Sequence, residues 1–110
     1  MVIVGMADFD PILKEFRAAL AVMYGARLER VVLFGSRARG DARPDSDYDV
    51  AVFLKDYQGD RWAESDKIST EAARFLRTHD AFIHAMPYRA EQYSERSGLM
   101  HEIRREGVEL

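Results

Sequence analysis

The sequence predicts one domain of the α/β (α+β) class, built as a small mixed β-sheet packed by helices. The chain has 110 residues with 47% hydrophobic content, which suffices for one hydrophobic core but not for two of ordinary size. Helical and strand-like patterns follow one another in the order helix, strand, strand, helix, strand, helix, which is typical of a sheet covered by helices. No repeat or linker interrupts the pattern, so residues 1–110 are interpreted as a single domain.

The first helix is predicted to begin after Asp10, whose side chain can cap a helix that starts at Pro11. Proline is tolerated there because the first turn of a helix needs no N–H from it. Gly25 provides a stop signal. Between them, the residues that recur at helical spacing are Ile12, Leu13, Phe16, Ala19, Leu20 and Met23.

Two strands are predicted on either side of a polar loop. The first, Leu28 to Phe34, ends in a continuous apolar run, which is typical of a strand buried on both faces. The stretch from Arg37 to Ser46 is polar and is predicted to be a loop with one short helical turn. In the second strand, Tyr48 to Leu54, alternation places Asp47 and Asp49 on one face of the sheet.

The second half of the chain predicts a helix, a short strand and a last helix. Residues at helical spacing that we expect on the inner side of the helix are Trp62, Ile68, Ala72, Phe75 and Leu76. The helix begins near Trp62 or, alternatively, at Ser65 or Asp66. The run from Ala81 to Met86, just before Pro87, predicts the third strand, and Ala90 to Tyr93 predicts a helical turn. Leu99 to Glu106 predicts the last helix, closed by Gly107.

Composition excludes several classes of protein. The formal net charge of −3 disfavours non-specific binding to nucleic acid. The absence of cysteine excludes a disulfide framework, thiolate metal sites and a cysteine nucleophile, so any metal must be held by oxygen or imidazole. No apolar run approaches the roughly 20 residues that span a bilayer. Residues 1–5 are too short and uncharged for a signal peptide, so we expect a cytoplasmic protein.

The most informative segment is Gly35-Ser36, followed by ten residues and then by Asp47-Tyr48-Asp49. Two carboxylates at positions i and i+2 of a strand share a face, and their hard oxygen ligands suit Mg²⁺ or Mn²⁺. Glycine allows the backbone to approach a phosphate closely, and the serine hydroxyl can bind a phosphate oxygen. Together these residues predict a site for a nucleotide and a metal ion, which is the arrangement used for phosphoryl or nucleotidyl transfer.

This segment resembles the signature of the polymerase-beta-like nucleotidyltransferase superfamily, which is Gly-Ser, ten residues and Asp-x-Asp. The short chain is similar to the minimal nucleotidyltransferases, which in bacteria are often encoded beside a helical HEPN-domain toxin. The resemblance extends over most of the chain and implies the palm-like fold of polymerase beta. It also implies that Gly35 and Ser36 bind a nucleoside triphosphate, and that Asp47 and Asp49 are the catalytic residues that bind the metal.

The resemblance implies a function and also exposes one departure from the family. It implies transfer of AMP from ATP to a hydroxyl acceptor, which in toxin–antitoxin members is a tyrosine of the partner toxin. A complete family site has a third carboxylate on the following strand, where this sequence has His84 in mid-strand and Asp80 at the predicted start. Either residue could occupy the third position. The alternative function is an antitoxin that binds nucleotide but neutralises its partner by contact alone.

Overall fold

The structure, a computed structural model, describes residues 10–57 and 60–110, so residues 1–5 and any signal they carry lie outside it. The elements are α1 (Pro11–Tyr24), β1 (Leu28–Phe34), the one-turn helix α2 (Ser36–Arg39), β2 (Tyr48–Leu54), α3 (Arg61–His79), β3 (Ile83–Arg89), α4 (Gly98–Glu106) and β4 (Val108–Glu109). Short 3-10 helices follow α1 and β3 at Gly25–Arg27 and Ala90–Ser94. In these described ranges, none of the helices is long and apolar enough to cross a membrane.

The four strands form one mixed sheet in the order β3-β2-β1-β4, which confirms the predicted fold class. β1 pairs antiparallel with β2 and β4, whereas β2 and β3 are parallel. Parallel neighbours require a crossover connection, and α3 supplies it. In the register of the sheet, Asp49 lies between Phe34 of β1 and His84 of β3. Asp49 of β2 is therefore next to residues of both neighbouring strands, β1 and β3.

Both faces of the sheet are covered, as the apolar strands predict. One face packs against α1 and α3, where the rings of Phe16 and Phe75 meet edge to face with centroids 5.4 Å apart. The other face packs against Met100 and Ile103 of α4. The residues of β2 alternate between the two: Tyr48, Val50, Val52 and Leu54 face α1 and α3, and Ala51 and Phe53 face α4. The predicted alternation of this strand is confirmed, and it puts Asp49 on the α4 side.

The third strand begins and ends later than its apolar run predicts. The predicted strand covered Ala81 to Met86, but β3 is Ile83–Arg89 and continues through Pro87. Its start is delayed because α3 runs to His79 and ends at Asp80 in a left-handed conformation, φ 53°. Proline is tolerated because β3 is the edge strand of the sheet that residues 10–57 and 60–110 form, where a missing N–H need not break a ladder of hydrogen bonds.

The predictions that Trp62 and Leu76 lie on the inner side of α3 are wrong, because these residues are 81% and 43% exposed. The buried stripe of α3 consists of Ile68, Ala72 and Phe75. At 100° per residue, Trp62 lies about 120° around the helix from Ile68, outside this stripe. The helix does begin near Trp62, because the side chain of Asp60 accepts a hydrogen bond from the Trp62 N–H at 2.9 Å.

Candidate active site

Gly35 makes the turn that joins β1 to α2. Its backbone adopts φ 76° and ψ −157°, a conformation in which any side chain is strained. Ser36 then begins the single turn of α2, and its carbonyl accepts the Gly40 N–H at 3.0 Å where the turn closes. The prediction of a loop with one short helical turn is confirmed.

The carboxylate of Asp49 lies directly against Gly35. A Cβ atom at position 35 would come within 2.5 Å of Asp49 Oδ2 and 3.3 Å of its Cγ. Strand pairing explains this approach, since Asp49 lies opposite Phe34, the residue before Gly35. The sheet therefore brings the two halves of the motif into contact.

Asp47 and Asp49 have different environments. Asp47 directly precedes β2 and is exposed, whereas the Asp49 side chain is only 35% exposed. Tyr48, between them, is buried in the core beneath α1 and α3. Asp49 is thus positioned by strand β2, whereas Asp47 belongs to the end of the polar loop.

His84, and not Asp80, stands beside Asp49. The two residues are register partners, and His84 Nδ1 lies 3.7 Å from Asp49 Oδ1. The alternative with Asp80 requires a regular strand from Asp80 to His84, but Asp80 caps α3 and precedes the strand. Asp80 instead lines a cavity of about 510 Å³ together with Ser46 and Tyr48. The position next to Asp49 on the neighbouring strand therefore holds an imidazole.

The chemistry of these side chains fits a hard divalent cation. Asp49 presents a partly exposed carboxylate over a glycine that leaves room for it, and Asp47 adds a second set of oxygens two residues away. Carboxylate oxygens are the preferred ligands of Mg²⁺ and Mn²⁺. In residues 10–57 and 60–110, no three His, Asp or Glu side chains already converge as a metal site. The fit therefore rests on the type of donors and on the space at Gly35.

Two arginines of the segment 37–46, which joins Gly35-Ser36 to Asp47 and is called the signature loop below, are held by protein groups. Arg37 donates to the backbone carbonyls of Ser46 and Pro44. Arg39 forms ion pairs with Asp41 at 3.3 Å and with Glu106 at 3.4 Å. The sequence allows Arg37, Arg39 and Arg43 to contact the triphosphate or an acceptor, or instead to be solvated or paired with a nearby acid such as Asp41 or Asp45. The ion pair of Arg39 with Asp41 agrees with the second alternative.

A mixed sheet that sets a Gly-Ser turn against an Asp-x-Asp strand defines a nucleotidyltransferase type of domain. The family described as "Nucleotidyltransferase domain" matches residues 13–105 of the sequence. The chain belongs to this family and is a nucleotidyltransferase.

Two relatives come from Methanocaldococcus jannaschii, and both bear the name "Putative protein adenylyltransferase". One is 32% identical over 99 residues, which cover 90% of this chain and 95% of the relative. The other is 45% identical over 40 residues, which cover 36% of this chain and 40% of the relative. The longer match alone also assigns the chain to the family.

Several solved structures share the fold. A protein from Sulfolobus solfataricus, described as a "putative nucleotidyltransferase", matches with a TM-score of 0.64 and 23% identity, over 89% of this chain and 75% of its own. A toxin–antitoxin structure with AMP-PNP matches with a TM-score of 0.59 and 20% identity, over 87% of this chain and 70% of its own. At these identities the likeness concerns the fold alone.

Proposed function

We propose that this nucleotidyltransferase is a metal-dependent protein adenylyltransferase, which transfers AMP from ATP to a hydroxyl of a partner polypeptide. The observation that carries the proposal is the contact between Asp49 and Gly35, because it joins a carboxylate for the cation to a turn that suits phosphate. Gly35 and Ser36 bind the triphosphate through backbone N–H groups and the serine hydroxyl.

Asp47 and Asp49 would hold Mg²⁺ or Mn²⁺, which would offset the negative charge of the phosphates. In the transfer, the acceptor oxygen forms a bond to the α-phosphorus of ATP. The bond from that phosphorus to the bridging oxygen breaks, and pyrophosphate leaves with the electron pair. The hydroxyl proton passes to bulk water. His84 is the side chain that the neighbouring strand presents next to Asp49.

The relatives support the choice of acceptor and partner. A relative that covers nearly the whole chain is named for adenylyl transfer to protein. Two of the solved structures with this fold are toxin–antitoxin structures, one of them determined with AMP-PNP. Together with the sequence resemblance, these names favour an antitoxin that modifies a tyrosine of a HEPN-type toxin.

The test is label transfer from α-phosphate-labelled ATP, with Mg²⁺ or Mn²⁺, to the product of the neighbouring gene. We expect Asp47→Asn and Asp49→Asn each to lower the rate more than about 100-fold, beyond the range typical of outer-shell partners of a metal. Asp66→Asn is the matched control, because Asp66 is an exposed aspartate of α3. If label transfer persists in both Asp47→Asn and Asp49→Asn, the proposal that these aspartates hold the metal ion is wrong.

His84 favours a second candidate function, in which the protein neutralises its partner by contact alone. An imidazole is a poorer ligand for hard cations than the carboxylate expected at that position. A parent protein that binds ATP and the toxin, and inhibits the toxin without label transfer, would favour this candidate.

A further inference from the structure

Arg37 fastens the two ends of the signature loop to each other. Its Nε and Nη2 donate to the Ser46 carbonyl at 2.9 and 2.7 Å, and Nη2 also donates to the Pro44 carbonyl at 3.1 Å. Arg37 belongs to α2, directly after Ser36, and Ser46 is directly before Asp47. One guanidinium therefore spans from the Gly-Ser turn to the residue that precedes the first carboxylate.

The guanidinium of Arg37 also packs on the ring of Tyr48. Its carbon lies 4.0 Å from the ring centroid of Tyr48, a geometry in which the cation is attracted to the ring face. The Tyr48 hydroxyl donates to Asp10 Oδ2 at 2.8 Å, and Asp10 Oδ1 caps α1 by accepting the Ile12 N–H at 2.9 Å. Arg37 is thus anchored through Tyr48 to a helix of the core.

We propose that Arg37 is a positioning residue, which holds Asp47 at the distance from Asp49 that a shared cation requires. The inference rests on the proposed function of the two aspartates as metal ligands. Asp47 lies outside the strand and is exposed, so strand pairing does not fix it. The fixed point nearest to it on the loop side is the Ser46 carbonyl, which Arg37 binds with two donors.

A direct contact between Arg37 and the triphosphate is the competing role. In this structure both Nε and Nη2 are used by loop carbonyls, and one face of the guanidinium lies over Tyr48. The two roles differ in what they predict for the protein without nucleotide. A positioning residue affects metal affinity in the absence of ATP, whereas a phosphate ligand affects only ATP binding.

The test is a titration of the nucleotide-free protein with Mn²⁺, followed by the electron paramagnetic resonance signal of the free ion. Arg37→Lys keeps the charge but loses the planar fork that bridges two carbonyls. We expect its Mn²⁺ affinity to fall about 10- to 100-fold, the range for groups that orient metal ligands. The kcat of label transfer should fall by a similar factor, and the KM for ATP should change little.

Arg104→Lys is the matched control, because Arg104 also bridges two backbone carbonyls, those of Tyr93 and Glu95 at the end of the 3-10 helix that follows β3. We expect this variant to bind Mn²⁺ and to transfer label like the parent. Arg37→Gln, which keeps an amide donor for the Ser46 carbonyl, is the second variant if Arg37→Lys does not fold. Loss of the fold in both variants of Arg37 would overturn the proposal, since Arg37 would then have a general structural role.

Two further outcomes separate this inference from the proposed function. Parental Mn²⁺ affinity in Arg37→Lys, with lost affinity in Asp47→Asn, would overturn only the role of Arg37. A raised KM for ATP without a change in Mn²⁺ affinity would do the same and favour phosphate binding. Parental Mn²⁺ affinity and transfer in Asp47→Asn would instead overturn the proposed function itself.

Discussion

Two features of the structure favour glycine at position 35: the positive φ of its backbone and the close approach of the Asp49 carboxylate. The backbone conformation, with φ 76°, costs an alanine about 1–3 kcal/mol. The added methyl would also displace the Asp49 carboxylate, because the Cβ would lie 2.5 Å from Oδ2. The first effect concerns stability and the second concerns the site, so a suitable control can separate them.

We predict that Gly35→Ala loses both label transfer and Mn²⁺ affinity, whereas Gly25→Ala loses only stability. Gly25 has a similar backbone, φ 56° and ψ −128°, but a Cβ there would have no neighbour within 4 Å. Urea unfolding should show comparable losses of about 1–3 kcal/mol in the two variants. Equal Mn²⁺ affinity in both would mean that Asp49 is not constrained by Gly35.

At position 84 we predict that His84→Asp raises the rate of label transfer, by up to about 100-fold, the lower range for an added general base. The register places residue 84 beside Asp49, so the new carboxylate would occupy the third position of the family site. Asp80→Ala should transfer label like the parent, because Asp80 caps α3. The comparison of rates with ATP and Mg²⁺ checks this. A less active His84→Asp together with an inactive Asp80→Ala would reverse the assignment.

The sequence predicts the bounds of a helix or strand well where local start and stop signals agree with the pattern of apolar residues. The cap at Asp10 and the stop at Gly25 frame α1 as predicted, and the bounds of β1 and β2 are those read from their apolar runs. The contact between Gly35 and Asp49 follows from those two strands. The motif and the strands that carry it are therefore accessible from sequence, whereas the pairing of β1 with β2, which brings Gly35 to Asp49, comes from the structure.

The sequence predicts the existence and the bounds of a strand less well where they depend on pairing with other elements. β4 has only two residues, which carry no periodicity, and it exists because Val108 and Glu109 pair with β1. The start of β3 depends on how far α3 extends, so the choice between Asp80 and His84 stayed open until the register was known. The role of Arg37 depends on contacts across nine residues, which no spacing rule predicts.

The junction between α4 and β4 requires glycine for reasons of space. A Cβ at Gly107 would lie 2.3 Å from the Ile103 carbonyl oxygen and 2.4 Å from Val32 Cγ1. Its φ of −70° suits any residue, so backbone strain plays no part. We predict that Gly107→Ala lowers the free energy of unfolding by about 1–3 kcal/mol, as overpacking does.

Gly98→Ala is the control for this prediction, since Gly98 begins α4 and a Cβ there would meet nothing within 4 Å. Its stability should be unchanged or raised by up to about 1 kcal/mol. Urea unfolding of the two variants measures the difference. Equal stabilities would show that β4 moves freely enough to admit the methyl group.

Across the whole molecule, the sheet separates a fully packed side from a partly open one. The side under α1 and α3 buries every residue that β2 contributes to it. On the other side, α4 covers Ala51 and Phe53, while Asp49 stays partly exposed and the His84 side chain is 61% exposed. The candidate site thus lies at the edge of the sheet face that α4 covers. The opposite face of the same strand, β2, packs in the core under α1 and α3.

Burial in the folded protein also changes the pKa of four tyrosines. Burial raises the pKa of the phenols of Tyr24, Tyr48, Tyr57 and Tyr88 above the usual value of 10.0. Hydrogen bonds add to the effect at two of them: the Tyr24 hydroxyl donates to Glu64 at 2.8 Å, and the Tyr48 hydroxyl donates to Asp10. The folded protein therefore keeps phenol protons that the unfolded chain releases.

We predict that the protein loses stability as the pH rises above about 10. A group whose folded pKa is raised contributes its full stabilisation below the unfolded pKa and loses it as the pH passes toward the folded value. Each such tyrosine can shift the unfolding equilibrium by up to about tenfold per pH unit in that window. Urea unfolding between about pH 8 and pH 11 measures the slope, and Tyr24→Phe should reduce it, because this variant removes the phenol that donates to Glu64. A slope that Tyr24→Phe leaves unchanged would place the alkaline sensitivity elsewhere in the chain.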